Sequence, residues 1–366
     1  MTGPAAERPL RVLQSFRTPR ATTNPYISSL LTALRARPEL VVDTFSWRRA
    51  LTGRYDVVHV HWPEVWSRGS SRLRTRWRQA LVAALLLRLR TRRTALVRTV
   101  HNPVPHEAGG RLERALLRRV DALTTTTVHL TAATRGTVAP ARPAVVVPHG
   151  HYREHVRPFL GPTPAEGAAG TLVQFGLLRR YKNAEGLLRA FAATAPTLVA
   201  SGSGPTRGEG VEAGSSLRLC VAGACPDAGL AADLRGAAAA DPRVDLRLHH
   251  LDDAELADVV RAAELVVLPY RPTSGEVANS GAALLALSLD RPVLLPRSPA
   301  TTELAREAGP GWVHLYDGNL GPETLLGALA ALRSTPRGAR PDLSARDWPE
   351  AAEAHVQAYR TAVAQR

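Results

Sequence analysis

The sequence predicts an α/β protein of two domains, each a parallel sheet covered by helices. Three observations predict it. Short apolar runs alternate with helical patterns along the whole chain, the rhythm of parallel strands joined by helical crossovers. A length of 366 residues accommodates two domains of ordinary size. The Pro/Gly-rich stretch "FLGPTPAEGAAG" (159–170) separates the two sets of strands as a linker would.

In the first half the strand candidates are "RVLQSF", "LVVDTF", "DVVHVHW", "ALVRTVH", "DALTTTT" and "AVVVPHG". Among the intervening helices, "NPYISSLLTALRA" starts with Asn24 as a cap and Pro25 in the first turn. The second half offers "TLVQFG", "LRLCVAG", "VDLRLHH", "ELVVLPY" and "RPVLLPR". Its helix "DDAELADVVRAA" opens on Asp252 with Glu255 three residues on, the pattern of a capping box. "ASGSGPTRGEGVEAGSS" (200–216) reads as a further loop. The expected organisation is a Rossmann-like domain over 1–160, a second over 171–346, and a closing helix over 347–366. Two such domains face each other across a cleft, with ligands at the carboxyl ends of the strands.

Composition narrows the class. Hydrophobic content of 45% with 22% charged residues is that of a soluble globular chain. Cys220 and Cys225 make no disulfide framework and read as thiols of a reducing compartment. "MTGPAAERPL" lacks the apolar core of a signal peptide, and no apolar run approaches the ~18 residues of a spanning helix. A cytoplasmic protein is expected, peripheral at the inner face of the plasma membrane if its basic surface binds lipid. The net charge of +15 is uneven: residues 1–170 carry 27 basic and 10 acidic side chains, and the remainder 20 and 22. Within the basic half, Arg68 to Arg93 holds nine arginines and no acid. Such a segment suits an anionic membrane surface, or is a sheet-packing helix with solvated Arg ends. Nucleic acid is not expected, because no aromatic platform accompanies the charge.

Candidate chemistry sits at strand ends. "DVVHVHWPE" places His59, His61, Trp62 and Glu64 at one carboxyl edge, and "TVHNPVPHE" places His101, Asn102, His106 and Glu107 at the next. A polar substrate cleft, a metal site and coincidence are the three readings. His59 and His61 are read as pointing to opposite faces of their strand and so as unable to share a metal; no metal is expected. In the second half, "FGLLRRYKN" leads into a helix, and backbone amides at a helix start favour an anion. Arg179, Arg180 and Lys182 add cations there, and Lys182 is the only lysine in the chain. A second Ser/Gly/Asn loop carries Glu276 and opens a helix near Ser280. Two phosphate-friendly helix starts in one domain point to a diphosphate ligand, although each alone is an ordinary cap or turn.

These pieces resemble the GT-B-fold, nucleotide-sugar-dependent glycosyltransferases, the large bacterial family of mannosyl- and glucosyltransferases of polysaccharide and glycolipid assembly. The resemblance spans nearly the whole chain, through "NPYISSLL", "YDVVHVHWPE", "TVHNPVPHE", "VVVPHGHY", "QFGLLRRYKN", "ELVVLPYRPTSGEVANSG" and "LALSLDRPVLLP". The closing "WPEAAEAHVQAYRTAV" is similar to the family's terminal helix, which crosses back to the first domain. The resemblance implies an acceptor-binding first domain and a donor-binding second domain. It implies that Arg179 and Lys182, beside Gly176, hold the donor diphosphate. It also implies that Glu276, Ser280 and Gly281 contact sugar and phosphates, and that His101 faces the sugar. His61, Trp62, Asn102 and His106 are then candidate acceptor residues. The retaining branch of the family carries two glutamates where this chain has Val277 and Leu285, so the sequence leaves retention or inversion open.

The expected activity is transfer of a hexose from a GDP- or UDP-linked donor to a lipid-linked or other glycan acceptor. Negative charge on the departing diphosphate is stabilised by Lys, Arg and helix amides without a metal cofactor. An inverting reaction needs a base at the acceptor hydroxyl, with Glu64, His101 or Glu107 as candidates. A sugar-nucleotide epimerase or a phosphorylase could share the fold. A non-enzymatic basic membrane or nucleic-acid-binding protein would leave both strand-end clusters unexplained.

Overall fold

The structure is a computed structural model; it describes residues 8–20, 23–101, 109–160, 167–195, 217–271 and 280–366. Two compact units form, one of residues 1–150 with 344–366, the other of 151–343. The division falls at Gly150, ahead of the 159–170 stretch in which the linker was expected, for a local reason. Residues 151–159 pack on the second unit: Tyr152 N donates to Ser288 Oγ at 2.9 Å, and Arg261 Nη1 donates to the Phe159 carbonyl at 2.9 Å. His155 Nε2 lies 3.2 Å from Asp253 Oδ2.

In the first unit, strands β1 (Leu10–Gln14), β2 (Leu40–Asp43), β3 (Val57–Val60), β4 (Ala95–Val100), β5 (Thr124–His129) and β6 (Ala144–Val146) form one sheet. All pairings are parallel, in the order β2-β1-β3-β4-β5-β6. The pleat sorts the side chains. Leu13, Val58, Val60 and Leu96 face the helices Arg72–Thr91 and Arg111–Leu123, where Val82, Leu85, Leu89, Leu116 and Val120 complete a core. Gln14, His59 and Thr99 therefore face the other side, which the helices Pro25–Arg35 and Trp348–Ala364 cover. Asn24 caps the Pro25–Arg35 helix by accepting from Tyr26 N at 3.0 Å, a contact worth about 1 kcal/mol.

In the second unit, β7 (Thr171–Phe175), β8 (Arg218–Ala222), β9 (Val244–Arg247), β10 (Leu265–Val267), β11 (Val293–Pro296) and β12 (Val313–Tyr316) form a parallel sheet in the order β12-β11-β10-β7-β8-β9. Renumbered within the unit this is the doubly wound 3-2-1-4-5-6 order read in reverse. Leu172, Leu219, Val221, Leu265 and Leu294 pack under the helices Ala184–Ala192, Ala228–Ala239 and Pro322–Ser334. Strand β12 escapes the sequence reading because "VHLY" is short and mostly half-buried between glycines. The capping box at Asp252 is only half made: Asp252 accepts from Glu255 N at 2.9 Å, but the Glu255 carboxylate binds His249 at 2.8 Å instead of turning back.

Candidate active site

In an open parallel sheet, ligands gather at the carboxyl ends of strands where the strand order reverses direction. In the second sheet that point lies between β7 and β10. Immediately after β7, Gly176 adopts φ +98°, and Gly223 after β8 adopts φ +144°. A Cβ on Gly223 would stand 2.1 Å from the Gly176 carbonyl oxygen, so the two loops meet only because Gly223 carries no side chain. The space left at Gly176 is taken by Lys182: a Cβ there would lie 3.1 Å from its Nζ. The lysine sits in a 3-10 turn, Arg180–Lys182, that ends in left-handed Asn183 and runs straight into the helix Ala184–Ala192. Gln174 Nε2 anchors the turn by donating to the Lys182 carbonyl at 2.8 Å.

The segment after β10 ties this turn to the second helix start. Arg271 N donates to the Tyr181 carbonyl at 2.8 Å, and Arg271 Nε donates to Asn183 Oδ1 at 3.1 Å. Tyr270 shares a 2.8 Å hydrogen bond with Ser280 Oγ, which also caps the helix Gly281–Ser288 by accepting from Ala283 N at 3.0 Å. Two helix amino ends and a lysine are thus tied by hydrogen bonds into one cluster. Among the described residues Lys182 has no acidic partner. Burial, and then the neighbouring Arg179 guanidinium, pull its pKa down to about 8. Arg180 is different: it is exposed, and its guanidinium is satisfied by Asp227 at 2.9 Å and Glu185 at 3.4 Å. Glu276 lies outside the described residues.

In the first sheet the order reverses between β1 and β3, where His59, His61 and Gln14 sit. The expectation that His59 and His61 diverge is overturned. Residues two apart on a strand share a face, and their rings are 4.3 Å apart. They belong to one buried hydrogen-bonded chain. Thr99 Oγ1 is 2.7 Å from His59 Nε2, and His59 Nδ1 is 2.8 Å from the Tyr359 hydroxyl. Gln14 Nε2 donates to that hydroxyl at 3.0 Å, while Gln14 Oε1 is 3.2 Å from His61 Nε2. His61 Nδ1 is in turn 3.1 Å from His101 Nε2. Trp62 stacks on His101 with ring centroids 4.1 Å apart, and Tyr26 meets it edge-on at 5.3 Å. Burial keeps these imidazoles neutral. It lowers His59 and His101 well below the ordinary range, His61 to about 3, and His149 and His355 to about 4. Glu64 opens the short helix Pro63–Ser67 beside Trp62. Asn102, His106 and Glu107 lie outside the described residues. Among the described residues no group of three or more His, Cys, Asp or Glu is arranged to hold a metal ion.

The sequence and the fold of this chain are both similar to those of known proteins. The chain is 40% identical over 362 residues to two sequences from Xanthomonas campestris pv. campestris, each named GDP-mannose:glycolipid 4-beta-D-mannosyltransferase. The alignments cover 98% of this chain and 94% of each relative. The chain belongs to the nucleotide-sugar-dependent glycosyltransferases. No family model matches it. Solved structures similar to it include AviGT4, a glycosyltransferase involved in avilamycin A biosynthesis (TM-score 0.58, 15% identity, 98% and 99% of the two chains covered). A trehalose-phosphate synthase from Burkholderia vietnamiensis (0.60, 11%, 98% and 99%) and Anabaena HepE in complex with UDP-glucose (0.55, 12%, 96% and 95%) share the fold as well. Its fold is GT-B.

The two clusters differ in chemistry: the second unit's carries buried positive charge at Lys182, and the first unit's carries neutral imidazoles. Gln14, Tyr26 and Tyr359 escaped the sequence reading because they lie far apart along the chain. Only the pairing of β1 with β3 and the return of the final helix bring them to the histidines. Gln174 and Tyr270 were also missed; each stands at a strand end, and that position was the available signal.

Proposed function

We propose that this glycosyltransferase moves mannose from GDP-mannose to a glycolipid acceptor, forming a β-linkage with inversion. The observation that carries the reading is the 40% identity across 98% of the chain to enzymes named for that reaction. A β-mannoside built from an α-linked sugar nucleotide requires attack on the face opposite the leaving diphosphate, and therefore a base on the acceptor. Leucine at position 285, where a retaining relative would carry glutamate, agrees with inversion. In this reading Lys182, Arg179 and the amides that open the helices at Ala184 and Gly281 take the charge of the GDP diphosphate, with Gly176 giving the lysine room. The reaction then needs no metal cofactor, since fixed cations and amides stabilise the leaving group. His101 takes the acceptor proton, and Trp62 and Glu64 contact the acceptor; His61, expected as an acceptor residue, is buried with both ring nitrogens engaged and stands behind His101 instead.

The acceptor's lipid suggests the role of the Arg-rich helix. On Arg72–Thr91, Leu73, Trp77, Ala80, Ala84 and Leu87 form an exposed apolar stripe beside exposed Arg72, Arg74 and Arg76. Leu73 is 79% exposed, Trp77 66% and Leu87 64%. No helix among the described residues is long and apolar enough to cross a membrane. An apolar stripe with flanking arginines suits peripheral binding to anionic lipid.

The deciding experiment is single-turnover transfer from GDP-mannose to a lipid-linked oligosaccharide, with anomeric analysis of the product. A β-mannoside whose formation is lost in His101→Ala, while GDP binding persists, is the expected result. An α-mannoside, or full rate in His101→Ala, would overturn it.

A further inference from the structure

The hydrogen-bonded chain behind His101 takes its direction from the orientation of the Gln14 amide, Nε2 toward Tyr359 and Oε1 toward His61. Gln14 Nε2 can only donate, so the Tyr359 oxygen accepts from it at 3.0 Å and spends its own proton on His59 Nδ1 at 2.8 Å. His59 then carries its proton on Nε2 and donates to Thr99 Oγ1 at 2.7 Å. At the other end of the amide, Gln14 Oε1 can only accept, so His61 is protonated on Nε2. His61 Nδ1 is left as an acceptor, and His101 Nε2 must supply the proton across 3.1 Å. Every neutral imidazole in the chain is thereby fixed in one tautomer. Among the described residues, His101 Nδ1 has no hydrogen-bond partner.

We propose that Gln14 and Tyr359 are positioning residues that lock His101 as its Nε2–H tautomer, so that the Nδ1 lone pair receives the acceptor proton. This rests on His101 being the base. As the acceptor oxygen bonds to the anomeric carbon, its proton moves to Nδ1. The bond from that carbon to the diphosphate oxygen breaks, and GDP leaves with the electron pair. The His101 imidazolium keeps its Nε2–H bond to His61. Because an amide does not conduct protons, the chain ends at Gln14 as a lock and is not a proton wire. The released proton returns through Nδ1.

The groups around His101 fit this duty. Trp62 covers one face of the ring and Tyr26 presents its edge, so the ring cannot turn to exchange its nitrogens without breaking the bond to His61. Tyr26 also packs on His149 at 4.5 Å, while His355 lies 5.4 Å from His59. Burial, and then the neighbouring imidazoles His61 and His149, lower the pKa of His101 well below the ordinary range, which holds the resting base neutral. Tyr359 comes from the helix Trp348–Ala364, so the C-terminal segment of the chain sets the protonation of a β4 strand-end residue.

The test combines side-chain 15N spectra with a double-mutant cycle on the full-length enzyme. In the wild type, long-range 15N–1H correlations should show His59, His61 and His101 all protonated on Nε2. The opposite tautomer at His101 would overturn the proposal without needing any variant. Tyr359→Phe and Gln14→Met should each lower kcat at least tenfold with little change in KM for GDP-mannose. Placed in a His101→Ala background, the same changes should have less than a twofold further effect. A merely structural role would instead give additive losses, and that result refutes the lock. His101→Ala at full rate would remove the base reading and the lock together. A His101→Ala defect with wild-type kcat in both Tyr359→Phe and Gln14→Met would remove the lock alone.

Discussion

Lowering the pH from 7.5 to 5 should unfold the first unit, and the loss can be worked from its histidines. Above about pH 6.5 an unfolded histidine and a buried one are both neutral, and folding is independent of pH. Below it, the unfolded chain takes up protons that the folded chain refuses, so stability falls as pH falls. His61 is held near 3 and His149 and His355 near 4, each chiefly by burial. Against an unfolded value of about 6.5, each costs about 2 kcal/mol at pH 5, and the three together about 6 kcal/mol. That is comparable with the whole stability of an ordinary domain, roughly 5–15 kcal/mol. His59 and His101 act in the same direction. Urea midpoints followed by tryptophan fluorescence should drop steeply between pH 7 and 5. Calorimetry in buffers of different ionisation enthalpy should show uptake of about 3 protons or more on unfolding at pH 5.5. His355 offers the internal control, because its Nε2 is buried without a partner; His355→Leu should reduce proton uptake by about 0.9. A flat stability profile down to pH 5, or uptake below about one proton, would refute the neutral buried cluster.

Further outcomes are expected at the other cluster and on the surface. Lys182→Arg keeps the charge but should lose most transferase activity, since a planar guanidinium does not fit the gap beside Gly176; Arg180→Lys should lose little, because its partners are Asp227 and Glu185 at the surface. Steady-state kinetics with both variants checks this. Affinity for GDP, measured by calorimetry, should fall as pH rises through about 8, where Lys182 loses its proton, approaching tenfold per pH unit; Lys182→Met should abolish that dependence. Gly176→Ala should weaken GDP binding at least tenfold, because its Cβ would press on the Lys182 ammonium from a backbone of positive φ. Replacing Arg72, Arg74 and Arg76 with Gln should weaken binding to phosphatidylglycerol vesicles by up to about a hundredfold, at about 1 kcal/mol per arginine, with GDP affinity unchanged. Arg78 is best left intact, since it donates to the Arg68 carbonyl and holds the helix start.

How much of this was legible in the sequence depends on the range of the interaction involved. Most strand runs, the Asn24 cap and the Ser280 helix start are local patterns, and the structure places them where the residues predict; "DALTTTT" is shifted, because its first three residues close the helix Arg111–Leu123 and the strand runs Thr124–His129. The lone lysine could be picked out of the sequence, but its place beside Gly176 could not, because it depends on the turn after β7. The histidine pair was legible but misjudged, since a period of two puts His59 and His61 together. The lock was not legible. Its links join positions 14, 59, 61, 99, 101 and 359, and no local pattern distinguishes Gln14 from any other polar residue ending a strand.

That contrast follows from what each cluster must do. A diphosphate is a strong anion, and it can be held by features encoded within a few residues: a glycine turn, a lysine, the first amides of a helix. Choosing between two nitrogens of one imidazole demands far more, because the two tautomers differ little in energy in water and the surroundings must separate them. A single donor would do so weakly. A chain in which each partner has only one available role is far more selective, because reversing any member leaves a buried donor or acceptor unpaired, at about 1–3 kcal/mol. The Gln14 amide is the member that breaks the symmetry, since hydroxyls and imidazoles can reverse and an amide cannot without turning over. Gln14 is fully buried with Tyr359 on one side and His61 on the other. Gln14→Glu is the substitution that separates orientation from packing. It retains shape and the acceptor toward His61, but it removes the donor toward Tyr359 and adds a charge that favours imidazolium. The acid limb of the kcat profile should move to higher pH in this variant. If the profile is unmoved and the rate unchanged, the amide has no part in setting the base.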